Sequence, residues 1–108
     1  MTFANPHKRE KLSATLEHLA AEFIAREGNQ TALVTVTGSK LSDSGRHIDI
    51  LVTVLPEESE NGAIKILSES KKGFTEYVDK HAKIGRMPSF DFKIDKGEKN
   101  RLRIEDII

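Results

Sequence analysis

Residues 31–55 read TALVTVTGSKLSDSGRHIDILVTVL, and this stretch decides the fold class. Its first part, Thr31–Lys40, is rich in β-branched residues, and its last part, His47–Leu55, has Ile or Val at every second position from Ile48. Both patterns are typical of β-strands, because alternate side chains of a strand point to opposite faces of a sheet. The connection is short, and its residues 42–45, SDSG, favour a turn. We therefore predict an antiparallel hairpin.

A helix is predicted before the hairpin. Asn5 is a good N-cap, and Pro6 suits the first helical position. Gly28 ends the helix, because glycine most readily takes the left-handed conformation of a C-terminal cap. Between these ends, apolar residues recur at steps of four, three and four, which is one stripe of a 3.6-residue period. The stripe consists of Leu12, Leu16, Leu19 and Phe23.

A second helix is predicted after the hairpin, beginning near Gly62. Pro56 stops the preceding strand, and the acidic segment Glu57–Glu60 suits the positive end of a helix dipole. The apolar stripe of this helix is interrupted at Lys71-Lys72-Gly73, and glycine inside a helix costs about 1 kcal/mol relative to alanine. We therefore predict a kink or break there. The stripe itself consists of Ile64, Leu67, Phe74 and Val78.

Ser89–Asp95 reads SFDFKID and alternates apolar with polar residues, which predicts a third strand. A strand that follows a helical crossover returns parallel to the strand before it, so the sheet should be mixed. Lys96–Asn100 is interpreted as a polar turn, and Arg101–Ile108 has no pattern that assigns it. The order helix, strand, strand, kinked helix, strand predicts an α+β domain with a three-stranded mixed sheet and helices on one face. We expect a core that includes Leu16, Phe23, Val34, Ile50, Leu67, Phe74 and Phe92.

The length of 108 residues predicts one domain spanning residues 1–108, with 1–5 and 104–108 as flexible ends. The chain has no cysteine, which excludes disulfides, thiolate metal sites and cysteine nucleophiles. Its first ten residues carry charge where a secretory signal is apolar, and no apolar run approaches the length of a membrane span. We expect a soluble, cytoplasmic monomer.

The 17 basic and 17 acidic residues give a net charge of zero, which on its own argues against a nucleic-acid binder. Their distribution is uneven. Residues 71–103 contain ten basic and five acidic residues, a net charge of +5, whereas residues 41–70 contain two basic and six acidic residues, a net charge of −4. This segregation predicts a positive surface formed by the C-terminal half.

Several motifs, in this order and spacing, resemble the ribosome-binding factor A family over nearly the whole chain. They are the strand residues 33–37 and 47–55 with Ser42-Asp43 between them, Gly73-Phe74, residues 88–92 with Asp95, and residues 103–108. The resemblance implies a KH-like domain of the second type. In this family a kinked helix pair replaces the phosphate-binding glycine loop of other KH domains. The chain departs from the family at Lys71-Lys72-Gly73, where the family usually has Ala-x-Gly, and in its neutral net charge.

The resemblance implies a ribosome assembly factor that binds the immature small subunit and its rRNA, assists late maturation and rRNA processing, and then dissociates. Phosphate contacts are expected near the helix break, because a broken helix exposes amide donors at the start of its second half. The alternative is that the basic residues of this region form only a solvated surface or, in the case of Arg101 and Arg103, that they anchor the tail to nearby acidic side chains. The candidate nucleic-acid-binding residues are Lys71, Lys72, Gly73, Lys80, Lys83, Arg86, Arg101 and Arg103.

Two other functions stay open. One is a small protein-interaction module that docks a charged partner without RNA binding, and the other is an enzyme. His47 and Asp49 share one face of a strand, and His18 and Glu22 stand four residues apart on a helix, so either pair could begin a metal or acid–base site. Neither pair has a third partner in the local sequence, and such a site needs convergent groups. We therefore expect no catalytic site, no metal and no cofactor.

Overall fold

The computed structural model describes residues 6–27 and 32–107, except for the side chains of Pro6 and of residues 102–107. None of the helices in this part of the chain is both long and apolar enough to cross a membrane. The elements, in chain order, are α1 (Pro6–Glu27), β1 (Leu33–Leu41), β2 (His47–Leu55), a 3₁₀ turn (Glu57–Ser59), α2 (Glu60–Glu69), α3 (Lys71–His81), β3 (Ser89–Ile94) and α4 (Lys96–Ile107).

The three strands form one sheet in the order β1-β2-β3. β1 and β2 pair antiparallel, and β2 and β3 pair parallel, so the predicted mixed sheet is confirmed. The hairpin turn is closed by Ser42, whose backbone amide donates to the carbonyl of His47 at 2.8 Å. Gly45 completes the turn with a φ of 73°, a conformation that side chains with a Cβ rarely adopt.

The core lies between the sheet and helices α1, α2 and α3. Phe74 of α3 is fully buried at its centre, and its ring centroid lies 5.5 Å from Phe23, 5.3 Å from Phe90 and 5.9 Å from Phe92. Six of the seven predicted core residues are buried. Val34 is only half-buried, because β1 is an edge strand with no neighbour on its outer side.

The predicted break in the second helix is confirmed, but it lies at Ser70, just before the predicted Lys71-Lys72-Gly73, which is helical. The Ser70 side chain donates to the carbonyl of Ile66 at 2.8 Å, and its backbone amide donates to Leu67 at 3.0 Å, which ends α2. Gly73 lies in the first turn of α3, where a Cβ would come 3.4 Å from the ring of Phe23. Gly73 therefore lies against α1, at a distance where a Cβ would make an ordinary van der Waals contact.

The seam between α1 and α3 contains the only tyrosine of the chain. The ring of Tyr77 lies 5.7 Å from Phe23 and is stacked on the imidazole of His81 at 4.1 Å. The guanidinium of Arg26 lies 5.5 Å from the centre of the same ring, in the geometry of a cation–π contact. Aromatic and cationic groups from both helices thus enclose Tyr77.

The segment after β3 was interpreted as a polar turn and an unassigned tail, and this interpretation is wrong. It forms α4, and Asp95 is its N-cap, because Asp95 Oδ1 accepts a hydrogen bond from the backbone amide of Glu98 at 3.0 Å. Lys99 ties α4 to the 3₁₀ turn through Glu57 at 2.9 Å and to the start of α2 through Glu60 at 3.0 Å. The backbone of residues 104–107, expected to be a flexible end, continues α4; residues 1–5, Gly28 and Thr31 lie outside the described residues.

Candidate nucleic-acid interface

An open groove of about 930 Å³ lies between the β1–β2 turn, the first turns of α3 and the loop before β3. Each of these three parts contributes one basic side chain to its lining. Arg46 comes from the turn, Lys71 from α3 and Arg86 from the loop. We call this feature the basic groove. The groove offers cations, hydroxyls and an apolar wall to a negatively charged chain. Its other lining residues are Ser44, Gly45, Thr75, Met87, Pro88, Ser89 and Phe90.

Lys71 is the most constrained of these cations. Its ammonium donates to Asp91 Oδ1 at 2.5 Å and lies 5.8 Å from the centre of the Phe90 ring. The hydrogen bond from Lys71 lowers the pKa of the Asp91 carboxyl below its usual value. The side chain of Lys71 is 39% exposed and paired with Asp91, whereas Lys72 is exposed.

The next three predicted residues are exposed basic side chains near the groove or on the adjoining helix. Lys80 lies in the last turn of α3, and Lys83 and Arg86 lie in the loop that leads to β3. Arg86 lines the basic groove, whereas Lys80 and Lys83 do not. None of the three forms an ion pair with another described residue, so their charges are available to a partner.

Gly73 and Arg101 do not line the groove. Gly73 faces Phe23, with 3.4 Å between an added Cβ and the ring. Arg101 pairs with Glu98 one turn earlier in α4, with its Nε donating to Glu98 Oε2 at 3.0 Å, and this pairing lowers the pKa of Glu98. This contact fits an anchoring role within α4. The side chain of Arg103 lies outside the described residues.

Arg46 was missed because it lies in the stretch with a net charge of −4. Charge counting along the sequence assigned that stretch an acidic character. The parallel pairing of β2 with β3 brings Arg46 beside the start of β3, where the amide of Ser89 donates to the Arg46 carbonyl at 3.0 Å. The position of Arg46 could have been predicted from the sequence. A parallel β3 begins next to the start of β2, and Arg46 directly precedes β2.

A second polar cluster lies beside the groove on the face of the sheet that the helices leave open. His47 Nε2 lies 3.0 Å from Asp49 Oδ1 and 3.5 Å from Asp91 Oδ2. In the sequence, His47 and Asp49 have no third partner nearby. The structure supplies one, because the register of β3 places Asp91 opposite Asp49. Within the described part of the chain, no comparable third group joins His18 and Glu22, which are 3.5 Å apart.

The chain matches the family model of ribosome-binding factor A over residues 8–108. Ribosome-binding factor A of Thermodesulfovibrio yellowstonii is 28% identical, over 95% of this chain and 90% of its own. The Prochlorococcus marinus protein of the same name is 27% identical, over 97% and 89%. The crystal structure of ribosome-binding factor A from Thermus thermophilus superposes with a TM-score of 0.71 at 25% identity, over 81% of this chain and 94% of that one. Because the family model matches nearly the whole chain and the two folds superpose, the chain belongs to the ribosome-binding factor A family.

Proposed function

We propose that this protein is a cytoplasmic, monomeric ribosome assembly factor that binds the immature small subunit through its rRNA. In this proposal it assists late maturation and rRNA processing, and then dissociates. Membership of the family supports ribosome binding. The observation that carries the RNA contact is the basic groove, in which Arg46, Lys71 and Arg86 converge from three separate elements.

The groove suits the phosphate backbone of a folded RNA. It is partly open to solvent, so it accommodates a chain better than an enclosed small molecule. Arginine guanidinium groups donate two parallel hydrogen bonds to a phosphate, and such contacts position an RNA by shape and charge. Since the ammonium of Lys71 is shared with Asp91, we expect Arg46, Arg86 and the exposed Lys72 to contribute more to affinity.

Sedimentation of the purified protein with small ribosomal subunits, over a range of salt concentrations, tests the proposal. Each phosphate contact releases counterions, so four to six contacts give a slope of log affinity against log salt of roughly −3 to −5. The double variant Arg46→Glu/Arg86→Glu should bind at least about tenfold more weakly, a loss of about 1.4 kcal/mol. Its matched control is Lys8→Glu/Lys11→Glu, which changes the same charge on the exposed surface of α1.

Equal binding by the wild type and the groove variant, at normal circular dichroism, would contradict the proposal. Binding that ignores salt would favour the alternative of a protein-interaction module. One observation supports that alternative, namely that Leu33 and Leu55 are register partners on the open face and are 63% and 55% exposed. Two leucines are a small apolar patch compared with the about 800 Å² per partner of a stable interface, so we rank this function second.

A further inference from the structure

We propose that His47, Asp49 and Asp91 form a binding site for a divalent transition-metal ion, best matched by Zn²⁺, on the open face of the sheet. The site adjoins the basic groove, because Lys71 and Ser89 contact its ligands and also line the groove, but the proposal does not rest on RNA binding. One ligand atom from each of the three residues lies within 4.8 Å of the other two. Imidazole nitrogen and carboxylate oxygen are both ordinary zinc ligands.

The spacing of the ligand atoms fits a tetrahedral ion. Bonds of about 2.0–2.1 Å around tetrahedral zinc place neighbouring ligand atoms about 3.3 Å apart. His47 Nε2 lies 3.0 Å from Asp49 Oδ1 and 3.5 Å from Asp91 Oδ2, on either side of that value. Both distances from the imidazole nitrogen are therefore within a few tenths of an ångström of the value for tetrahedral zinc, the two carboxylate oxygens lie within 4.8 Å of each other, and water can complete the coordination.

Ser89 holds the imidazole of His47 through Nδ1 and leaves Nε2 facing the two carboxylates. The Ser89 hydroxyl lies 2.7 Å from His47 Nδ1 and 3.2 Å from the carbonyl of Arg46. In the tautomer that carries its hydrogen on Nδ1, the ring donates to this hydroxyl and Nε2 presents a lone pair, which is the form that binds a metal ion. Without an ion, the other tautomer lets Nε2 donate to Asp49 Oδ1 at 3.0 Å.

Each of the three ligands also has an outer partner that orients it. Ser89 holds the ring of His47, Lys93 lies 3.4 Å from Asp49 Oδ2, and Lys71 lies 2.5 Å from Asp91 Oδ1. Both lysines contact the carboxylate oxygens that do not face His47. This is the arrangement of metal sites, in which second hydrogen-bonding groups fix the ligands in place. The two ammonium charges repel a cation, so we expect weaker binding than at a structural zinc site with four ligands.

The backbone positions of the ligands are equally well defined. His47 and Asp49 are alternate residues of β2, so both side chains point to the same face, and Asp91 lies opposite Asp49 in the parallel register. Sites on paired strands are held more precisely than sites on loops. An ion at this point would link β2 and β3 through their side chains in addition to their backbone hydrogen bonds.

Titration of the full chain with ZnCl₂, followed by calorimetry and by the NMR signals of the His47 ring, tests the site. We expect one ion per chain, with the ring bound through Nε2. Asp91→Asn keeps the shape and removes one anionic ligand, so it should weaken binding at least tenfold, and Asp49→Asn should do the same if the first variant fails to fold. His18→Ala is the control, because His18 and Glu22 form a pair without a third ligand.

Several results would overturn the proposal. They are an absence of binding by the wild type, equal binding by folded Asp91→Asn, or loss of binding in His18→Ala. A His47 ring whose NMR signals do not respond to zinc would also overturn it. Sedimentation with small subunits is measured on the same variants, so failure of the metal site and failure of the proposed function give different outcomes.

Discussion

The two faces of the sheet are built from alternate residues of the same strands, yet they differ in almost every side chain. The covered face, under the helices, is apolar and buried; from β2 and β3 it presents Ile48, Ile50, Val52, Val54, Phe90 and Phe92. The open face presents His47, Asp49, Asp91 and Lys93, which are partly or fully exposed. Because a shift of one residue would exchange the two sets, the register is fixed by the apolar face. The polar face is then free to carry function.

The largest expected difference between the faces is in stability, and neighbouring residues of β3 test it. Phe92→Ala should lower the free energy of unfolding by about 3–5 kcal/mol, because it removes a buried ring and leaves a cavity. Lys93→Ala, on the open face, should change it by less than about 1 kcal/mol, since exposed ion pairs contribute little. Urea denaturation of both variants measures the difference, and similar losses would refute the division of roles.

An intermediate effect on the free energy of unfolding is expected at Asp95, which directly follows β3. This residue sharpens the comparison of the two faces because it stabilises the fold through polar contacts. Its carboxylate caps α4 and accepts a hydrogen bond from the hydroxyl of Thr37 at 2.6 Å. Asp95→Ala should lower the free energy of unfolding by about 1 kcal/mol at pH 7, the usual cost of losing an N-cap. Asp43→Ala, in the exposed hairpin turn, is the control and should change stability much less.

The effect of Asp95 should also depend on pH. The backbone amide of Glu98, followed by the Thr37 hydroxyl, lowers the pKa of Asp95. A carboxyl whose pKa is lower when folded stabilises the fold above its unfolded pKa of about 3.9, and this contribution is lost as the pH falls through the folded value. The gap between wild type and Asp95→Ala should thus be constant from pH 5 to 7, as rough bounds, and narrow below about pH 4. A gap that widens in acid would contradict this role.

The smallest effect is expected at Thr35, on the open face of the edge strand. Its side chain is exposed and lies opposite Thr53, away from the His47 cluster and from the basic groove. Thr35→Ala should change the free energy of unfolding by no more than about 0.5 kcal/mol, as is usual for exposed positions. It should leave zinc and subunit binding unchanged. A larger loss would indicate that this end of the open face is covered in solution.

The sequence predicted the features that depend on local pattern. The hairpin, the mixed sheet and the helix break followed from alternation, turn residues and an interrupted stripe. The convergence of Arg46 with Arg86 and of Asp49 with Asp91 did not follow, because each needs the register between strands some forty residues apart. The helix α4 had a local signal in the Asp95-x-x-Glu98 spacing of a capping box, which its polar composition obscured.

The seam that holds Tyr77 has an optical consequence. The chain contains one tyrosine and no tryptophan, so its near-ultraviolet emission is dominated by a single ring between α1 and α3. That ring lies beneath Arg26 of α1, and this contact ends if α1 and α3 separate, whereas the stacking on His81 lies within α3. The unlabelled protein therefore carries its own fluorescent reporter of the seam between α1 and α3.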